Sequence, residues 1–202
     1  MILKPVGQLI LLLCGFAIFA SSCKFNKVDN RPLPADSSYF SIKDFVRDQI
    51  ILNSGQPISL TRVSVLNGEK DSSLTNFLTA NWAPVFDAFN ESDIAERKYI
   101  GQYSFSQFDD ETSGTHDFVY TAKNPKLFTR TLQIHIDPFT NKIMSIYIET
   151  AKRNFWTNTS KKLLYIPYKI IQIQEDEGYF VGKSKNLLVE FRFPQAESTI
   201  IQ

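Results

Sequence analysis

The sequence predicts an α+β domain in which two helical segments pack on one face of a mainly antiparallel, curved sheet of about seven strands. Two patterns lead to this fold class. Apolar residues recur at spacings of three and four in residues 38–53 and 73–89, as on one face of a helix. From residue 99 onward, apolar and polar residues alternate, as in half-buried strands. The 202 residues are 43% hydrophobic, which is enough apolar material for one core.

The first helix is predicted over residues 38–53. Ser41 to Asp44 has the form of a capping box, whose side chains bond the free amides of a first helical turn. Gly55 is suited to the C-cap, and Pro57 cannot continue a helix. The helix should therefore end just before Gly55.

A β-hairpin is predicted next. Residues 58–66 are rich in β-branched side chains, which favour a strand. Asn67-Gly68 is the strongest short-range signal for a two-residue hairpin turn. Residues 69–72 should therefore return antiparallel to the first strand.

The second helix is predicted to have Ser73 as its N-cap and to carry one apolar stripe. Pro84 removes an amide donor in the middle, so the helix must kink there or restart near Ala83. The stripe either packs against the sheet or lines a ligand pocket. Its members are Leu74, Phe77, Leu78, Trp82, Val85, Phe86 and Phe89, and the aromatic side chains of Phe77, Trp82, Phe86 and Phe89 are the candidates for ligand contact.

Alternation also predicts the register of two central strands. Residues 131–136 and 144–149 are joined by a turn at residues 138–142. A slip of one residue would place the apolar side chains of one strand opposite the polar side chains of the other, so only one register fits. It pairs Ile136–Met144, Ile134–Ile146 and Leu132–Ile148 on the apolar face, and His135–Ser145, Gln133–Tyr147 and Thr131–Glu149 on the polar face.

Further strands are predicted on both sides of this pair. Tyr99, Tyr103 and Phe105 share one face of a strand, and a polar loop at residues 109–115 separates it from the next. The remaining strand candidates are residues 118–122, 162–166, 169–174 and 187–193, together with residues 179–181 after a turn at residues 175–178.

The N-terminal segment, residues 1–22, is typical of a secretory signal peptide. Lys4 is its only charge, residues 9–20 are almost wholly apolar, and the segment ends in small residues. The alternative is a transmembrane anchor, which requires about 20 apolar residues. The apolar run here is shorter and contains Gly15, which favours the signal peptide.

Cys23, with Phe19-Ala20-Ser21-Ser22 before it, resembles the lipobox of bacterial lipoproteins. The resemblance covers residues 1–23, and Ala20 stands where the family usually has Leu or another branched aliphatic residue. It implies that the sulfur of Cys23 becomes a thioether to diacylglycerol, that the signal is cut before Cys23, and that the new amino group is acylated. The alternative is a soluble secreted protein cut nearby, with Cys23 incidental.

The resemblance also implies a location. In such lipoproteins an Asp directly after the cysteine often indicates retention in the inner membrane, whereas Lys24 here implies the outer membrane. The following residues lack the acidic run that some bacteria use for surface export, so the periplasmic side is expected. Residues 23–37 then form a lipidated polar tether and residues 38–202 a single domain.

Composition and motifs exclude several classes of function. The chain has 22 basic and 21 acidic side chains, and a net charge of +1 excludes a strongly basic nucleic-acid-binding protein. The sequence contains no Gly-x-Ser-x-Gly motif, no glycine-rich phosphate loop and no metal-binding His or Cys pattern. We therefore expect no cofactor and no structural metal.

The best candidate for a polar site is His135 with Gln133, Tyr147 and Glu149, which the predicted register places on one sheet face. The alternative is that these residues form the solvated face of a half-buried sheet. Two acidic clusters, residues 109–111 and 175–177, are candidates for calcium binding but fit solvated turns better.

Phe155-Trp156 lies in a predicted connection between strands. The pair either anchors a partner or touches a membrane interface, or it folds back to close the end of the core.

Two functional hypotheses follow. The first is a non-catalytic outer-membrane lipoprotein, facing the periplasm, that binds a hydrophobic ligand or an envelope protein. The second is an envelope hydrolase that uses His116 or His135 with nearby carboxylates. A closed apolar cavity of at least about 300 Å³ favours ligand binding. A cleft that joins a histidine, a carboxylate and a nucleophile favours the enzyme.

Overall fold

Hydrogen bonding between neighbouring strands arranges nine strands into one open antiparallel sheet in the computed structural model, which describes residues 39–194. The strand order is β2-β1-β9-β8-β7-β6-β5-β4-β3. The predicted signal peptide, Cys23 and the tether lie outside the described residues. The elements are α1 (Ile42–Asn53), β1 (Ser59–Leu66), β2 (Glu69–Asn76), α2 (Ala83–Glu91), a 3₁₀ turn (Arg97–Tyr99), β3 (Tyr103–Asp110), β4 (Thr115–Ala122), β5 (Thr129–Ile136), β6 (Ile143–Arg153), β7 (Thr157–Ile166), β8 (Ile170–Tyr179) and β9 (Lys185–Arg192).

Helix α1 begins at Ile42, four residues later than predicted. The Ser41 hydroxyl oxygen accepts a hydrogen bond of 3.1 Å from the amide of Asp44, so Ser41 is the N-cap and its backbone is extended. The amide of Ile42, a second free donor, bonds the carboxylate of Asp93 at 2.9 Å. At the other end Gly55 has a φ of +83°, the left-handed conformation expected there.

The hairpin of β1 and β2 forms at Asn67-Gly68, as predicted. Both residues have positive φ values of 51° and 91°, as a type I′ turn requires. Strand β2, however, continues to Asn76, so the prediction that Ser73 caps a helix is wrong. Backbone pairing along the whole length of β1 outweighs the helical spacing of the apolar residues. As a result, Leu74 lies on the strand and is 85% exposed.

Helix α2 begins at Ala83, with Pro84 in its first turn. The alternative that the helix restarts near Ala83 is therefore confirmed. Proline fits this position because the first amides of a helix have no intrahelical acceptor.

Both helices pack on the same face of the sheet. The ring of Tyr165 on β7 contacts Phe45 of α1 at 5.2 Å and Phe89 of α2 at 6.5 Å between ring centroids. Trp82, just before α2, packs against Phe191 of β9 at 4.6 Å. Below them the central strands supply fully buried aliphatic side chains, each of which contributes about 1.5–3 kcal/mol to stability. These are Leu132, Ile134, Ile146, Ile148 and Leu163.

The register predicted for β5 and β6 is confirmed with one exception. Ile134 lies opposite Ile146 and Leu132 opposite Ile148, as predicted. Ile136 pairs with Ile143 instead of Met144. Met144 is the extra residue of a β-bulge, which explains why its side chain is half exposed rather than in the core.

The sheet has nine strands where about seven were predicted, and two segments expected as turns or loops instead lengthen strands. Residues 175–178, predicted as a turn, lie within β8, where Glu175 faces Lys161 on β7 at 3.2 Å. Asp109 and Asp110, predicted in a loop, are the last two residues of β3. Acidic residues continue a strand when the neighbouring strand supplies cationic or hydroxyl partners.

Candidate functional site

The four predicted polar-site residues lie on the sheet face opposite the helices. Gln133 is opposite Tyr147, and His135 is opposite Ser145, as the predicted register requires. The Tyr147 hydroxyl donates a hydrogen bond of 2.6 Å to a carboxylate oxygen of Glu149. Burial, together with this hydrogen bond, raises the pKa of Tyr147 to about 12. The structure therefore places these residues together, with Tyr147 and Glu149 bonded to one another.

His135 is bonded to Asp117 on β4, a residue that is not among the four predicted for the polar site. Nδ1 of His135 donates a hydrogen bond of 2.8 Å to Oδ1 of Asp117, whose side chain is almost fully buried. The Thr115 hydroxyl donates to the same oxygen at 2.6 Å. In a nucleophilic triad the imidazole lies between the hydroxyl and the carboxylate. Here the carboxylate lies between the two, so the imidazole does not contact this hydroxyl.

His116 lies on the other sheet face. Its Nδ1 is 2.6 Å from Oδ1 of Asp109, and its ring contacts Phe118 at 5.0 Å. Asp110, next in the acidic cluster, accepts hydrogen bonds from the hydroxyl of Ser113 and the amide of Thr112, and these bonds lower its pKa. Within residues 39–194 no group of three or more His, Cys, Asp or Glu side chains is arranged to hold a metal ion.

Three of the four aromatic ligand candidates are core residues. Phe77, Phe86 and Phe89 are buried in the cluster between the helices and the sheet. Trp82 is half-buried, and its indole nitrogen donates to the carbonyl oxygen of Phe77 at 2.7 Å. None of the four lines the cavity beside Glu91, at the end of α2.

Phe155 and Trp156 do not fold back onto the core. They form the β6–β7 turn and are 76% and 64% exposed, with ring centroids 4.8 Å apart. Phe180, in the β8–β9 turn, lies 6.1 Å from Phe155 and is 74% exposed, and its neighbour Val181 is 79% exposed. We call these four residues the aromatic end. The amide of Phe180 bonds the carbonyl of Trp156 at 2.9 Å, which holds the two turns together.

A cavity of about 1130 Å³ lies beside the last residue of α2, Glu91. Its floor belongs to strands β5 to β8, and the segment before β5 forms one wall. Apolar contacts come from Tyr99, Pro125 and Phe128. The cationic lining residues are Lys126, Arg130, Lys152, Arg153 and Lys161, and the acidic ones are Glu91, Glu175 and Glu177.

A second β-bulge in the pair of β5 and β6 lies beside this cavity. Thr129 pairs with Thr150, and Thr131 pairs with Glu149, so Arg130 is the extra residue between them. Arg130 keeps the face that alternation from Leu132 gives it, and the bulge brings the side chain of Thr129 onto that same face. The Thr129 hydroxyl donates a hydrogen bond of 2.8 Å to the carbonyl of Ser92, which fixes the bulge against the end of α2.

Comparisons with known proteins returned no match to a protein-family model, to a curated protein or to a solved structure. Among the helices of residues 39–194, none has the length and apolar character needed to cross a bilayer.

Proposed function

We propose that this chain is a non-catalytic lipoprotein of the cell envelope, anchored through Cys23 to the periplasmic side of the outer membrane, whose domain binds an envelope protein through the aromatic end. The observation that carries this proposal is the exposure of four adjacent large apolar side chains, Phe155, Trp156, Phe180 and Val181. Contiguous exposed apolar surface is typical of interaction sites, because each side chain loses contact with water only when a partner covers it.

Two features favour an external partner over a hydrophobic ligand held under the helices. The space between helices and sheet is occupied by the buried side chains of Phe77, Phe86 and Phe89. The 1130 Å³ cavity, in contrast, is lined by five cationic side chains. We further infer that the sheet is curved, since strand twist accumulates across nine strands.

The aromatic end is suited to a protein partner by its residue types. Trp and Phe are large and have few rotatable bonds, so they bury much surface at little cost in conformational entropy. Truncating such an anchor costs about 2 kcal/mol of binding free energy, a factor of about 30 in affinity. The hydrogen bond between Phe180 and Trp156 preorganises the two turns that carry the anchors.

Photo-crosslinking in the producing bacterium tests this proposal. A benzophenone amino acid is placed at Trp156 of the full chain and, as a matched control, at Phe139, which is 93% exposed in the β5–β6 turn. We expect one discrete protein adduct from position 156 that position 139 does not give. Phe155→Ser and Phe180→Ser should weaken this adduct, and Phe139→Ser should not. An adduct only with lipid, identical adducts from both positions, or no adduct would overturn the proposal.

The anchor is tested separately. Cys23→Ser removes the sulfur that would carry diacylglycerol, so the chain should move from the outer-membrane fraction to the soluble periplasmic fraction. Full retention in the membrane fraction would contradict lipidation at Cys23 while leaving the role of the aromatic end open to the crosslinking test.

The alternative, an envelope hydrolase using His116 or His135, has less support from the geometry. His135 is bonded to Asp117, but the nearest hydroxyl in this group, that of Thr115, bonds the carboxylate and not the imidazole. Activation of a hydroxyl nucleophile requires the imidazole to accept its proton.

A further inference from the structure

We propose that the cavity beside α2 binds a phosphate group, carried by a small molecule or by a lipid headgroup, through Arg130 and Thr150. This site is distinct from the aromatic end, and phosphate binding there does not require the protein partner proposed for that end. Three observations lead to it: two buried polar atoms without partners among the described residues, their position on one sheet face in neighbouring strands, and an excess of positive charge that the described residues leave unpaired.

The first observation concerns hydrogen bonds. Nη1 of Arg130 and the hydroxyl oxygen of Thr150 are buried, and neither has a hydrogen-bond partner among the described residues. Thr150 is only 3% exposed. A buried polar group without a hydrogen-bond partner destabilises the fold by about 1–3 kcal/mol. Two such groups beside one cavity therefore indicate that a molecule bound in the cavity supplies their hydrogen bonds.

The second observation is that the backbone brings these two groups together. Thr150 pairs with Thr129, the residue directly before the bulge, so the side chains of Arg130 and Thr150 line the same cavity from neighbouring strands. Alternation from Leu132 places Arg130 on the helix-covered face, the face to which Thr150 also belongs. The bulge puts Thr129 opposite Thr150, and the Thr129 hydroxyl bonds the carbonyl of Ser92, so the hydroxyl of Thr150 stays without a partner among the described residues.

The third observation is the charge balance of the lining. Lys161 is paired with Glu175 at 3.2 Å. The other four lining cations, Lys126, Arg130, Lys152 and Arg153, form no ion pair with any described residue. They outnumber the remaining acidic lining residues, Glu91 and Glu177. The cavity therefore has a net positive charge, which favours an anion.

Phosphate is the anion that this lining fits best. A guanidinium group presents its N–H donors in a fixed fork that matches two phosphate oxygens, and the threonine hydroxyl can donate to a third. A volume of about 1130 Å³ is far larger than a phosphate ion needs. The rest of the ligand would lie against the apolar contacts from Tyr99, Pro125 and Phe128.

Isothermal titration of the full chain, purified in a non-ionic detergent, tests the site. The probes are inorganic phosphate, glycerol phosphate and a short-chain phosphatidylglycerol below its critical micelle concentration. We expect binding of at least one probe, and this binding should weaken as the salt concentration rises because the attraction is electrostatic. Tighter binding of glycerol phosphate would identify a soluble ligand, and tighter binding of phosphatidylglycerol would identify a lipid headgroup.

Two variants and one control locate the binding. Arg130→Gln should weaken phosphate binding about tenfold or more, since it removes a charge-assisted hydrogen bond. Thr150→Val keeps the side-chain shape, removes a hydroxyl that has no partner within residues 39–194, and should weaken binding about threefold while the domain stays folded. Lys70→Gln, on the exposed edge strand β2, should bind like the unmodified chain. Absence of binding for every probe, or equal binding by all variants, would overturn the proposal.

Discussion

The hydroxyl group of Tyr103 donates a hydrogen bond of 2.9 Å to the carbonyl oxygen of Thr129, the residue directly before the bulge at Arg130. Tyr103 is on the edge strand β3 and is itself buried, so this bond links the outermost strand to the wall of the cavity. Together with the bond from Thr129 to Ser92, it fixes the backbone of the bulge from two sides.

The bond from Tyr103 predicts a coupling between the edge of the sheet and the cavity. Tyr103→Phe should lower the free energy of unfolding by about 1 kcal/mol, because the carbonyl of Thr129 loses a buried donor. The same variant should weaken phosphate binding, since the bulge is less firmly held. Urea unfolding and titration calorimetry measure the two effects. Tyr147→Phe is the matched control: it also loses a bonded hydroxyl, but on the opposite sheet face, so its phosphate affinity should not change.

Buried tyrosines predict a loss of stability at alkaline pH. Burial raises the pKa of Tyr103 to about 12 and raises that of Tyr165 still further. An unfolded tyrosine ionises near pH 10, so the unfolded chain releases these protons first. The contribution to stability is therefore complete below about pH 10 and is lost as the pH rises toward about 12.

Urea unfolding at a series of pH values between 9 and 11.5 measures this dependence. The free energy of unfolding should fall with pH, and Tyr103→Phe should make the fall shallower. A fall of the same steepness in Tyr103→Phe would show that other groups cause it.

The central strands predict a sharp contrast between two leucines. Leu132 is fully buried on β5, and its replacement by alanine should cost about 2–5 kcal/mol because a cavity remains. Leu74 is 85% exposed on β2, and Leu74→Ala should change stability by less than about 0.5 kcal/mol. Denaturant unfolding of both variants measures the difference. Similar losses would mean that Leu74 is covered, for example by a second molecule on the edge strand.

The sequence predicts local structure well where one pattern acts alone. Strict alternation in β5 and β6 leaves only one register that buries Ile134 and Ile146 together, and that register is found. Helical spacing in residues 73–89 predicts the wrong structure for residues 73–76, because these residues can either continue a helix or pair with β1. The hairpin at Asn67-Gly68 brings Ser73 beside Arg62, and the ladder with β1 then outweighs the helical pattern.

The cavity is harder to predict because it depends on contacts between distant strands. Alternation in β5 places Arg130 on the face of Leu132, but a bulge arises from the mismatch of two strands, so nothing in the sequence of β5 alone shows that Thr129 shares that face. Asp117 is a different case. The alternation that places Phe118 on the apolar face also places Asp117 on the same face as His135, and pairing β4 with β5 would have identified it.

The two histidine–aspartate pairs predict opposite effects of removing the carboxylate. Asp117 is buried and accepts hydrogen bonds from Thr115 and His135. Asp117→Ala leaves both donors without their acceptor and should lower the free energy of unfolding by about 2–3 kcal/mol. Asp109, the partner of His116, is largely exposed, so Asp109→Ala should cost less than about 0.5 kcal/mol.

Thermal or urea unfolding of both variants decides the role of the Asp117–His135 pair. A large loss of stability for Asp117→Ala, with little change for Asp109→Ala, identifies the pair as part of the framework of the polar sheet face. A stable Asp117→Ala protein would contradict this role. Such a result would show that the buried, bonded carboxylate adds little to stability, which would favour the hydrolase hypothesis with His135 as its base.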